Sequence, residues 1–191
     1  MPNLITLNSI SLFNEPVFEM GLFAFILLLI SVPIAFWKTG ESKASSWVRV
    51  FVCLANLILA TQLILRWRES GHFPISNLYE SLCFLTWATT LTQLIIEKIY
   101  PSPFVAASVT PISFLSLASA SFALPETLQA SSPLVPALKS SWLVMHVTVI
   151  MSSYAALVAG SLLSGVVLFV DNSTKLQIRS SSIGVGGFRT V

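Results

Sequence analysis

Apolar residues gather into five runs along the chain, at 20–37, 50–65, 78–96, 104–124 and 142–170, with polar segments between them. Of the 10 Lys and Arg and the 8 Asp and Glu residues, only Glu80 falls inside a run. A polytopic helical membrane protein requires this confinement of charge, because the hydrocarbon layer solvates neither charges nor unpaired backbone groups. The pattern therefore predicts an all-α fold, a membrane bundle of about five transmembrane helices. The second run is short for a span and becomes adequate at 47–67, with Trp47 and Trp67 at the two interfaces and Arg49 and Arg66 reaching toward the headgroups. Pro111 removes a hydrogen bond from the fourth helix and is expected to kink it. The fifth run would be roughly 44 Å long as a helix, against a hydrocarbon layer of about 30 Å, so it must tilt or protrude. The bundle is thus assigned to residues 1–170, and the polar, Ser- and Gly-rich segment 171–191 is expected to be a flexible tail, truncated at its end.

Composition strengthens this picture. The chain of 191 residues is 54% hydrophobic and only 9% charged, which excludes an ordinary soluble domain. A net charge of +2, with basic residues scattered singly, gives no support to nucleic-acid binding. Cys53 and Cys83 lie singly in the second and third runs, without CxxC spacing, so they read as free buried thiols and not as a redox pair or a zinc site. The first run has no basic residue ahead of it and no cleavage pattern after it, so it is expected to remain in the mature protein.

The basic residues also give the bundle a direction. Lys38, Lys43, Arg49, Lys98, Lys175, Arg179 and Arg189 fall on one side, and Arg66, Arg68 and Lys139 on the other. Because the excess marks the inner side, the amino terminus is predicted outside and the tail inside, with outer connections at 66–77 and 125–141.

Few residues on this map could carry chemistry. Both histidines lie at the outer side. His72 sits in the connection ahead of Asn77-Leu78-Tyr79-Glu80. His146 stands near the outer end of the last helix, with Ser153, Gly160 and Ser164 at helical spacing on the same face. Ala156, Gly160 and Ser164 add a small-residue series of the kind along which membrane helices approach, so His146 is expected to face the bundle. A neutral imidazole there could ligate a metal or a haem iron; equally, it could be an interfacial residue bonded to a loop carbonyl. Glu80, the one ionisable residue within a run, is a candidate transport site; it is equally a candidate to cap its helix or to pair with Arg66 or Arg68. Trp87 and Phe84 below it read as packing residues, with a cofactor pocket as the alternative.

The residues Ser70-Gly71-His72-Phe73-Pro74-Ile75-Ser76-Asn77-Leu78-Tyr79-Glu80-Ser81-Leu82, then 132–138, then Ser141-Trp142-Leu143-Val144-Met145-His146-Val147 leading into Ser153-Tyr154-Ala155-Ala156, form a specific constellation. It resembles the CcsA (ResC) family of System II cytochrome c biogenesis proteins, most closely its cyanobacterial and plastid members. The resemblance implies a protein of the thylakoid or plasma membrane. Such a protein works with a CcsB (ResB) type partner bearing a large lumenal domain, binds b-type haem transiently and presents it at the outer face. There apocytochrome c receives it through the thiols of its CxxCH motif, so the complex acts as a haem lyase. The family's external histidine in a WLxxH stretch is an axial haem ligand and matches His146, whereas His72 matches a motif position without that role.

The Trp-rich WGxxWxWDPKE type segment, the later helices and the second external histidine of that family have no counterpart here. The resemblance therefore covers only the amino-terminal part of the family pattern. It implies that this polypeptide alone binds haem weakly or not at all, as a truncated product or one part of a split protein. Two readings compete with haem handling. One is a transporter or channel subunit that uses Glu80, and the other is a non-functional remnant.

Overall fold

A computed structural model describes the backbone over residues 16–37, 42–125 and 141–186, and side chains over most of these. The segment 132–138 and most of the 125–141 connection lie outside the described residues, as do Lys38 and Arg189. Every regular element described is helical. They are α1 (Pro16–Trp37), α2 (Ser42–Ser70), α3 (Leu78–Ile99), α4 (Pro103–Ala118), a π-helical turn that continues α4 (Ser119–Ala123), and α5 (Ser141–Gly186). Four of the helices are long and apolar enough to cross a membrane, over Glu19–Phe36, Ser46–Ser70, Pro103–Ala123 and Trp142–Asn172. The protein is thus an all-α membrane bundle, and α3 stands apart from the other four.

Two boundaries differ from those that hydrophobicity suggests. Helix α2 holds 29 residues, so the second run is not short; Ser, Lys and Arg at its ends are compatible with helix and simply add turns beyond the apolar core. Helix α5 continues to Gly186, through the stretch where a flexible tail was expected after residue 170. Nothing between Asp171 and Ile183 breaks a helix, since the segment contains no proline and its first glycine is Gly184.

The short connections make α2, α3 and α4 successive antiparallel neighbours. Helix α4 packs on α1, α2, α3 and α5, and α3 on α2, α4 and α5. Each helix offers a narrow buried face at helical spacing. In α1 this face is Ala24, Leu28, Ser31 and Ala35; in α2 it includes Val48, Val52, Ala55, Leu59 and Leu63. Large apolar side chains such as Phe23, Ile26, Leu57 and Leu115 point outward, as suits a bundle whose solvent is lipid.

At Gly21 the backbone of α1 lies against side chains of α2 and α3. A Cβ added there would lie 3.1 Å from Gln62 Nε2 and 3.2 Å from the Tyr79 hydroxyl. A side chain larger than a methyl group would have to displace both. Gly21→Val should therefore destabilise the bundle by about 1–3 kcal/mol, the range for overpacking a filled core. Thermal unfolding in detergent measures this, and the loss should shrink when Gln62→Ala makes room, which a double-mutant cycle would report as coupling.

Candidate functional site

The connection between α2 and α3 is built before it is decorated. Gly71 ends α2 at φ +70, a conformation that L side chains rarely adopt, and its N–H bonds the Trp67 carbonyl at 3.0 Å. The chain then turns back over the helix ends. Phe73 sits edge-on between Trp67, at 5.2 Å, and Phe84, at 6.0 Å, and Phe84 in turn contacts Trp87 at 5.5 Å between ring centroids. Trp87 is accordingly a half-buried packing residue. His72 is half-buried as well. Its Nδ1 lies 3.3 Å from the Phe73 carbonyl oxygen, and its own carbonyl accepts a bond from Ser70 Oγ at 3.0 Å.

Glu80 is where this connection is locked. Asn77 caps α3 by accepting the Glu80 N–H at 2.8 Å, and the Glu80 carboxylate reaches back to the Ser76 N–H at 2.9 Å and the Ser76 hydroxyl at 2.7 Å. This is a capping box shifted by one residue. The other carboxylate oxygen accepts from Arg66 Nη1 at 3.3 Å, and the same guanidinium lies 4.7 Å above the Tyr79 ring. Glu80 itself is 0% exposed. Of the roles open to it in the sequence, capping and pairing with Arg66 are both present, and both oxygens are engaged by fixed donors.

A second buried carboxylate escaped the reading of the sequence. Glu97 lies one residue beyond the third apolar run, yet it is only 1% exposed. Its side chain accepts from Arg49 Nε at 3.2 Å and from Gln93 Nε2 at 2.8 Å, and Gln93 in turn reaches Thr110 Oγ1 of α4 at 3.0 Å. Between the two carboxylates, Asn56 Nδ2 donates to Thr90 Oγ1 at 2.8 Å and to the Trp87 carbonyl at 2.9 Å. Gln62 Nε2 donates to the Tyr79 hydroxyl at 2.9 Å, while Gln62 Oε1 is buried without a partner among the described residues. A polar seam thus runs the length of the α2–α3 interface. The sequence did carry a signal, since Arg49 and Arg66 stand seventeen residues apart on α2 and Glu80 and Glu97 seventeen apart on α3.

His146 belongs to neither group. The face of α5 that packs on the bundle is centred on Ala155 and Ala159, with Met151 against the core. Nine residues before Ala155 is two and a half helical turns, so His146 stands on the opposite side and is exposed, together with Ser153, Gly160 and Ser164. This corrects the expectation that the His146 face turns inward. The alanine methyls give contact to a neighbouring helix and carry no polar group. The serine hydroxyls bond within their own helix, Ser152 to the Thr148 carbonyl at 2.7 Å and Ser153 to that of Val149 at 2.8 Å, and so tolerate the outer face. Among the described residues no group of three or more His, Cys, Asp and Glu could hold a metal ion. Cys83 is buried, Cys53 is exposed, and both are free.

Residues 75–185, from the folded α2–α3 connection to near the end of α5, match the family model described as cytochrome C assembly protein. This chain belongs to that family. It is 62% identical over 175 residues to a cytochrome c biogenesis protein CcsA of Synechococcus sp. (strain CC9311), covering 92% of this chain and 57% of that relative. It is also 62% identical over 176 residues to a CcsA protein of Prochlorococcus marinus (strain MIT 9303), covering 92% of this chain and 55% of the relative. The chain therefore spans somewhat over half the length of the curated relatives it matches.

The two ion pairs differ in their surroundings, since the Arg66 side chain is 13% exposed and that of Arg49 is 42% exposed. Water can solvate a Glu97 that loses its partner more readily than a Glu80 that does. Arg66→Leu should then cost about 3–5 kcal/mol, the range for orphaning a buried charge, and Arg49→Leu clearly less. Unfolding midpoints of the two variants in the same detergent check the order.

Proposed function

We propose that this protein takes part in cytochrome c assembly by binding haem and presenting it at the outer face of a thylakoid or plasma membrane for attachment to apocytochrome c. Its family membership supports the process, and one observation supports the residue. His146 is an exposed imidazole on a helix face that the bundle leaves uncovered, with no hydrogen bond to hold its ring among the described residues. An imidazole of this kind can offer a nitrogen lone pair to iron, which is the chemistry a transient axial ligand needs.

The donor set also fits a shared site. His146 is a single ligand with no second His, Cys, Asp or Glu grouped around it among the described residues. The remaining ligand and the rest of the haem surround are assigned to the part of the family architecture that the relatives carry beyond the matched length, and to a partner of the CcsB type with a large lumenal domain. On the orientation given by the basic residues, His146 and the folded 71–77 connection lie on the lumenal side, where apocytochrome c would be met. Haem is the cargo, and the chain's own contribution is to hold it at a fixed depth and side.

Glu80 as an ion or proton site finds no support in the geometry, because both its oxygens are committed to the α2–α3 junction. Its role in this proposal is to hold the outer connection.

The experiment is co-expression of this chain with the remaining portion of a CcsA relative and the partner protein, followed by purification in detergent. The complex should carry a Soret band that His146→Ala removes or reduces severalfold, that added imidazole restores, and that His72→Ala leaves in place. A spectrum and haem content indifferent to His146→Ala would overturn the assignment.

A further inference from the structure

Helix α3 is the paradox of this bundle. It packs against three other helices, yet it is not among the four that are apolar enough to cross a membrane. The reason is visible in its buried face, where Glu80, Thr86, Thr89, Thr90, Gln93 and Glu97 are each no more than 4% exposed. A helix that shows lipid its apolar side and its neighbours its polar side is stable once assembled. Entering the membrane alone would leave the Glu80 and Glu97 carboxylates without Arg66 and Arg49, whereas the hydroxyls of Thr86, Thr89 and Thr90 keep their bonds to carbonyls of their own helix.

The partner that removes this cost is already present one helix earlier. Ion pairs join Arg66 to Glu80 at one end and Arg49 to Glu97 at the other, at 3.3 Å and 3.2 Å. The equal seventeen-residue spacing means that only one antiparallel register satisfies both at once. Seventeen residues of helix rise roughly 25 Å, so the two pairs stand near the two edges of a hydrocarbon layer of about 30 Å. Asn56 and Gln62 of α2 meet α3 between them. The connection between the helices is short and folded back on itself, so the pairing needs no long-range search.

We infer that α3 enters the membrane only as a hairpin with α2, whose two arginines escort its two carboxylates into their buried positions. Helix α2 acts as an insertion partner built into the chain, and the order in which the bundle forms is set by α2 and α3 before α4 and α5 cover them. Thr110 of α4, which reaches Gln93, is then a late contact.

The test places single cysteines at Glu69, at the end of α2 that leads into α3, and at Pro101, just past the other end of α3, both exposed, in the full chain carrying Cys53→Ser. Cys83 is buried and is retained. An impermeant maleimide applied to intact spheroplasts, and then to lysed ones, reports which side each position occupies. With native arginines the two positions should label from opposite sides. Replacing Arg49 and Arg66 together by Leu removes one cation from each end of α2, leaving the charge balance across the membrane unaltered. Both cysteines should then label from the same side, because α3 no longer crosses. Adding Glu80→Gln and Glu97→Gln to that variant should restore opposite-side labelling. Labelling from opposite sides in the double arginine variant would overturn the inference. So would failure of the carboxamide pair to rescue, since the loss would then be general misfolding and not the stranding of two charges.

Discussion

Two guanidinium–carboxylate pairs, matched in spacing across antiparallel helices, are the constraint on which the bundle rests. In lipid the hydrophobic effect does not draw helices together, because their apolar faces are as well accommodated by acyl chains as by one another. Register, orientation and partner choice must come from elsewhere. Here they come from Arg66–Glu80 and Arg49–Glu97, with Asn56, Gln62, Thr90 and Tyr79 filling the interval. The close packing at Gly21 and the small buried residues of α1, Ala24 and Ala35, then bring the first helix against this framework. Buried polar groups cost stability when unpaired, so the same seam that specifies the fold makes it sensitive to single substitutions.

Much of this architecture was legible in the residues. Confinement of charge between apolar runs gives the helices, and the motifs around 70–82 and 141–156 resemble the family to which the chain belongs. Glu80 was recognisable because a lone acid inside an apolar run is conspicuous. Glu97 was not, because it stands one residue outside the third apolar run, and depth in a membrane depends on neighbours as much as on position. The equal spacing of the arginines and the acids held that information, but a spacing becomes meaningful only when the two helices are known to be adjacent.

The last helix teaches a related lesson. Two small-residue series run along α5 one position apart, Ala155 with Ala159 and Ala156 with Gly160 and Ser164. A shift of one residue turns a helix by about 100° and so exchanges inside for outside. Periodicity identifies such faces without ranking them. The ranking comes from what each face meets, and α3 and α4 meet the alanines. His146 is carried outward by the same rotation, to a place where other protein can complete its surroundings.

The folded connection after α2 has a meaning for access as well as for stability. Gly71 reverses the chain, Phe73 wedges between Trp67 and Phe84, and Ser76 is tied to Glu80, so the end of the bundle between α2 and α3 is stoppered by its own backbone. Among the described residues the backbone closes the bundle at its α2–α3 corner while the flank of α5 that carries His146 is exposed, which gives the bundle a front and a back.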